Sequence, residues 1–153
     1  MTTIHIPGTP PTITQQQKGV RCVPHHGSML PVFYKKKAYK DAERHYLEHI
    51  PRGPVYSGPV GIRISFQWPW RSAEPKKNKA AGWRHKDTKP DCDNIAKLVI
   101  DMMEKQQCGI SHDAQIAELT VVKSWGDNPG TIINIWPLDQ DQSTPASGGS
   151  SPE

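Results

Sequence analysis

Residues 60–68 alternate without a fault. Val60, Ile62, Ile64, Phe66 and Trp68 are apolar, and Gly61, Arg63, Ser65 and Gln67 between them are small or polar. Successive side chains of a strand point to opposite faces, so this period of two predicts a strand with one face against a core. A chain holding such a strand must build a sheet and cover one side of it. Two segments at helical spacing offer the cover. In residues 37–50, Tyr39, Ala42, Tyr46, Leu47 and Ile50 form one stripe, with Lys40, Asp41, Glu43 and Arg44 mostly outside it, and Pro51 and Gly53 end it. In residues 94–106, Ile95, Leu98, Val99, Met102 and Met103 form a second stripe. Asp93 or Asn94 can cap its start, and Cys108-Gly109 can end it.

The remaining segments carry weaker signals. Residues 2–6 read as a short first strand ending at Pro7-Gly8. Residues 7–33, rich in Pro, Gln, Gly and His, show no period and read as a long irregular stretch. Residues 71–89 read as a basic loop. Residues 115–125 and 131–136 read as strands joined in a hairpin by Gly126-Asp127-Asn128-Pro129-Gly130. After Leu138 the chain is Ser, Thr, Pro, Gly and acid without an apolar anchor, so a domain over 1–138 and a disordered tail over 139–153 are expected. With 153 residues, 35% of them apolar, one core is affordable. The order of elements predicts an α+β fold: a single small domain, a mixed or antiparallel sheet, and two main helices. No apolar run approaches the ~20 residues of a membrane span. Met1–His5 lacks the features of a signal peptide. Three cysteines suit reduced thiols, and a cytoplasmic location is expected.

Charge is unevenly spread. The net of +4 divides into 16 Lys/Arg against 5 Asp/Glu over residues 1–89, and 3 against 10 over residues 90–153. Lys35-Lys36-Lys37 and Lys76-Lys77-Asn78-Lys79 are dense basic clusters, and Trp68, Trp70 and Trp83 flank the second. Basic residues interleaved with aromatics suit phosphate contacts and base stacking. A solvated surface and core-packing tryptophans are the competing explanation.

The segment richest in chemistry is Lys89-Pro90-Asp91-Cys92-Asp93-Asn94-Ile95-Ala96-Lys97, followed by Asp101 and by His112-Asp113-Ala114-Gln115-Ile116. Asp91 and Asp93 lie two apart on the lead into a helix, and Lys97 stands one turn beyond Asp93. Asp113 converges on them only if the loop 107–113 runs back along the helix. Three clustered carboxylates repel one another unless a cation joins them. Mg²⁺ favours such oxygen ligands, can activate a water and can bind a phosphodiester oxygen, and a lysine above it neutralises transition-state charge. The alternative is a helix cap at Asp93 with Lys97 in i,i+4 pairs to Asp93 and Asp101.

These residues resemble the RusA family of Holliday junction resolvases. The likeness lies in D-x-D-N-x-x-K-x-x-x-D, here Asp91 to Asp101, and in the downstream D-D-x-Q-[IV], here His112-Asp113-Ala114-Gln115-Ile116. It covers roughly residues 3–137. It implies Asp91, Asp93 and Asp113 as metal-binding carboxylates, Lys97 as catalytic lysine, and Asn94, Asp101 and Gln115 as supporting residues. It also implies Mg²⁺ or Mn²⁺, a homodimer acting on branched DNA, and a bacterial or phage-infected cell as its setting. His112 stands where the family usually has a first aspartate, and can itself ligate a metal or bond a water. Under this reading Lys18, Arg21, Lys35, Lys36, Lys37, Lys76, Lys77, Lys79, Arg84, Lys86 and Lys89 line the DNA arms. Competing readings are a zinc held by Cys22, His25, Cys108 and His112, a non-catalytic DNA-binding module, and a nuclease selective for flaps or nicked duplex.

Overall fold

The computed structural model describes residues 1–13 and 18–138, the side chain of Lys18 excepted. The chain order is β1 (Thr2–Pro7), β2 (Lys18–His25), β3 (Ser28–Lys35), α1 (Lys37–His49), β4 (Val60–Pro69), α2 (Lys76–Ala80), β5 (Trp83–His85), α3 (Cys92–Gln106), β6 (Ile116–Gly126) and β7 (Gly130–Pro137). A 3-10 turn over Asp113–Gln115 leads into β6. The fold is the expected α+β domain with a mixed sheet. The tail expected over 139–153 lies outside the described residues.

The alternating segment forms β4, the middle strand of a five-stranded sheet ordered β1-β7-β4-β6-β5. On its core side Ile62 faces Ile135 and Ile64 faces Ile133 of antiparallel β7, and Ile133 in turn faces Ile4 of β1. On the other flank Ile64 meets Val121 and Trp68 meets Trp125 of parallel β6. Ile62, Ile64, Ile133 and Ile135 are fully buried. Each such side chain stabilises the fold by roughly 1.5–3 kcal/mol relative to exposure.

Helices α1 and α3 seal that face. Tyr39, Ala42 and Tyr46 of α1 are buried, and so are Ile95, Ala96, Leu98, Val99, Ile100, Met102 and Met103 of α3. α3 begins at Cys92, earlier than its apolar stripe suggests, with Asp91 in extended backbone at the cap position and no side-chain capping bond. Gln107 takes a left-handed conformation at its exit (φ 51°). Gly109 follows at φ +74°, where a Cβ would fall 2.8 Å from Cδ1 of Ile135. Glycine is therefore needed there for both backbone and space.

Three expectations are corrected. First, the stretch read as irregular over 7–33 contains the β2–β3 ribbon, a separate two-stranded sheet. Its turn places His26 and Gly27 both at positive φ (43° and 79°), as a two-residue hairpin turn of the right twist requires. Its sequence has no period because exposed apolar residues lie on both of its faces and Pro24 and Pro31 interrupt it. Second, β6 and β7 are not a hairpin. β4 lies between them, and the Gly126–Gly130 link crosses the end of β4, where the backbone N–H of Asn128 donates to Oε1 of Gln67 at 2.9 Å. A turn signal marks a reversal of the chain but does not choose the neighbour, and the apolar β4 needs the central place. Third, the basic loop 71–89 contains α2 and β5.

That third region is organised by a buried acid. The Glu74 carboxylate, with no exposed side-chain surface, accepts from Arg71 at 2.9 and 3.0 Å, from Nδ2 of Asn78 at 2.7 Å and from Nη1 of Arg84 at 2.9 Å. The Asn78 hydrogen bond, with those from Arg71 and Arg84, holds its pKa down to about 2 against the opposing effect of burial.

Two outcomes are expected. Ile64→Ala should lower unfolding free energy by about 2–5 kcal/mol in urea melts. Because the folded Glu74 pKa is depressed, its contribution to stability is complete above the usual carboxylate range (~4.3) and is lost as pH falls toward about 2. Amide-exchange protection factors in 71–85, corrected for the intrinsic pH dependence of exchange, should therefore fall across that window in the wild type, and Glu74→Gln should remove most of the change.

Candidate active site and nucleic-acid surface

The start of α3 gathers charge in two units. In the first, Nζ of Lys89 donates to Oδ2 of Asp91 at 2.6 Å, and the side chain of Asn94 bonds the same carboxylate. Lys123 of β6 reaches the same loop. Its Nζ donates to the carbonyls of Thr88 at 2.8 Å and Pro90 at 2.7 Å. In the second unit, Nζ of Lys97 bridges Oδ1 of Asp101 at 2.9 Å and Oδ2 of Asp113 at 3.1 Å. Asp91 and Lys97 are six positions apart, roughly 9 Å along the helix axis. Asp93 is exposed on the first turn between them.

The loop after α3 does run back along the helix, since Asp113 reaches Lys97. Gln115 holds it there. Its Nε2 donates to the carbonyls of Tyr56 at 2.8 Å and Gly58 at 3.1 Å, and its Oε1 accepts from the backbone N–H of Ser111 at 2.7 Å and of His112 at 3.3 Å. One amide thus ties the turn bearing Asp113 to the segment before β4. The imidazole of His112 lies 3.2 Å from Oε1 of Glu104.

The electrostatics follow from these contacts. The hydrogen bond from Lys89, with the nearby Lys123 charge and the Asn94 bond, holds the Asp91 carboxyl below its usual range. Lys97 does the same for Asp113, and its own pKa is raised by Asp101 and Asp113. Asp91, Asp113 and Lys97 are therefore all charged at neutral pH. In this arrangement ammonium groups neutralise Asp91 and Asp113.

Among the described residues, no three His, Cys, Asp or Glu side chains are grouped closely enough to hold a metal ion. This applies to the zinc set as well: Cys22 is exposed on the β2–β3 ribbon, whereas Cys108 is buried beside α3. The Asp91, Asp93 and Asp113 set fits Mg²⁺ or Mn²⁺ in kind, being oxygen donors with Asp91 and Asp113 ionised, all three open to solvent.

The basic side chains divide into two groups. Arg21, Lys35, Lys36 and Lys37 lie on the ribbon and the start of α1, and Lys76, Lys77 and Lys79 on α2 are also exposed. Within that group Lys35 pairs with Glu43 at 2.7 Å and Lys37 with Asp41 at 2.9 Å. Arg84 is committed to Glu74. Lys86 is only 7% exposed, its ammonium 4.0 Å from the centroid of Trp125 and 5.4 Å from that of Trp68. Trp68 is core, donating Nε1–H to the Pro10 carbonyl at 2.9 Å, and Trp70 donates to Asp127 at 2.7 Å. Trp83 is half exposed.

Lys123 and Glu74 are the functional-region residues that sequence reasoning missed. Lys123 left a trace, because it shares its strand phase with Leu119, Val121 and Trp125. A lysine on the covered side of a strand needs a polar partner, and here the partner is the loop carrying Asp91.

A small α+β domain with lysine-paired carboxylates at a helix start, beside a broad basic surface, is suited to acting on a polyanion. The family model of endodeoxyribonuclease RusA matches residues 7–136, most of the chain, and the chain belongs to that family. A comparison with curated proteins gives no match. Among the described residues, no helix is long and apolar enough to cross a membrane.

Lys123→Met is expected to release the segment 88–91 and leave the core intact. Amide exchange should accelerate several-fold at Thr88 and Asp91, with exchange in β4 unchanged. Gln115→Glu, which keeps the shape but loses both donors to Tyr56 and Gly58, should loosen 111–115 in the same measurement.

Proposed function

We propose that this protein is a metal-dependent endodeoxyribonuclease that resolves four-way (Holliday) DNA junctions by paired phosphodiester hydrolysis. The observation that carries the reading is the family match over residues 7–136, which includes the whole Asp91–Gln115 constellation. Asp91, Asp93 and Asp113 would hold Mg²⁺ or Mn²⁺, with the nuclease domain spanning residues 1–138. The ion, when bound, supplies Lewis acidity toward a phosphodiester oxygen and lowers the pKa of a water.

The chain's own residues do the rest. Lys97 Nζ, bridging Asp101 and Asp113, is placed to neutralise charge that grows on phosphoryl oxygens. Asp101 keeps that ammonium over the site. Asn94 orients Asp91, and Gln115 fixes the turn of Asp113. The exposed Arg21, Lys35, Lys36 and Lys37 of the ribbon and the start of α1, Lys76, Lys77 and Lys79 of α2, and Lys89 run along the phosphates of the arms. Two symmetric nicks require two sites related by a twofold axis, so the working form is a homodimer in the cytoplasm of a bacterial or phage-infected cell.

The test is cleavage of a synthetic four-way junction, a duplex and a flap with Mg²⁺ or Mn²⁺. Symmetric nicks in the junction are expected. They should disappear with a chelator and fall at least ~100-fold in Asp93→Asn and Lys97→Met. Cleavage of the flap alone would favour a differently selective nuclease, and binding without cleavage under either metal would favour a non-catalytic module. Metal affinity is expected to stay flat between mildly acid and neutral pH, because Asp91 and Asp113 are already ionised there and His112 faces Glu104.

A further inference from the structure

The β2–β3 ribbon stands apart from the core. Val20 faces Phe33, Cys22 faces Pro31, and Pro24 faces Met29, so these six side chains share one face of the ribbon. All six are exposed, Phe33 by 69%, Met29 by 59% and Val20 by 54%. A two-stranded ribbon is marginally stable in water, and an uncovered apolar face of this kind marks a surface that meets a partner. On the opposite face a Cβ at Gly19 would run into the Tyr34 ring, so glycine lets that ring lie across the root of the ribbon and leaves the Phe33 face open.

Charge decides what the partner is. No acidic residue precedes Asp41, and Lys18, Arg21, Lys35, Lys36, Lys37 and Lys40 are all basic. A second copy packed ribbon against ribbon would bring like charge against like. A nucleic acid brings phosphates to the basic root and bases to the apolar face. Strands of eight residues reach roughly 27 Å, and a two-stranded ribbon fits a major groove. Apolar side chains such as Phe and Met also wedge between base steps where stacking is broken. The root adjoins the active site. Lys35 shares a cavity of about 410 Å³ with Asp101, whose carboxylate holds Lys97.

We propose that the β2–β3 ribbon engages the unstacked bases at a DNA branch point, with Phe33 and Met29 against the bases and the basic root on the flanking phosphates. The ribbon is then the determinant of branched over linear DNA. This rests on the nuclease reading above and adds the part of the chain that reads structure.

The experiment uses the full chain and a four-way junction with 2-aminopurine at the branch point, in buffer containing a chelator so that no strand is cut. The wild type should raise the fluorescence and prefer the junction to duplex. Phe33→Ala with Met29→Ala should lose that fluorescence change and about tenfold or more of the preference, with duplex affinity within about twofold. Phe33→Trp should restore both. A double variant that keeps wild-type preference and fluorescence change would overturn the proposal. So would a double variant whose only change, by sedimentation, is loss of self-association, since the ribbon face would then belong to a second copy. If the wild type neither binds nor cuts any DNA, the nuclease reading itself fails. If it cuts junctions and the double variant cuts them with equal selectivity, only the role of the ribbon fails.

Discussion

The isoleucine ladder on the covered face of β4 must be sealed from water, and the site inherits its geometry from the way this is done. α3 lies over that face and buries seven side chains, which fixes the helix in rotation as well as in place. Rotation decides which residues are left outside. Asp93, Lys97 and Asp101 are left outside the core, and Lys97 meets the turn that returns with Asp113. The core therefore sets the direction of the charged side chains, and local hydrogen bonds only trim it.

Those charges are balanced in pairs. Each of two carboxylates has its own ammonium, Lys89 for Asp91 and Lys97 for Asp113. A third lysine, Lys123, spends its hydrogen bonds on the carbonyls of the loop that carries Asp91. A fourth, Lys86, is stacked on Trp125. The cations near α3 thus do different work: two meet carboxylates, one braces the loop and one packs against aromatic rings. Their number in the sequence gives no hint of this division, because a lysine's role depends on whether its stem is covered and what lies within reach of its tip.

Much of this was legible beforehand where one physical signal dominated. β4 was readable because one of its faces is fully buried and the other is mostly polar. α1 and α3 were readable because their apolar stripes had no competing pattern. The Lys97–Asp101 pair was readable from its i,i+4 spacing, whereas the return of Asp113 to Lys97 depended on a loop whose path no local rule dictates. The β2–β3 ribbon was invisible for a physical reason: alternation records burial, and this ribbon is barely buried. The pairing of β6 and β7 was misread because a turn rich in Gly, Asp, Asn and Pro reports only a reversal. The choice of β4 as their shared neighbour is made by the core. Glu74 looked like one acid in a basic loop, and only three-dimensional proximity showed three donors aimed at it.

The placing of β4 between β6 and β7 also has a kinetic side. In the five-stranded sheet, no neighbouring pair is joined by a hairpin, and β1 finds its partner β7 more than a hundred residues later. Sheets assembled from such distant partners close slowly, because long loops must be ordered before contacts repay them. The Lys97–Asp101 and Lys97–Asp113 contacts join near neighbours in sequence, four and sixteen residues apart, and wait on no such closure. A chain still emerging from synthesis carries its basic ribbon early and the acidic stretch that follows Lys89 late, so the two signs of charge appear in sequence rather than together.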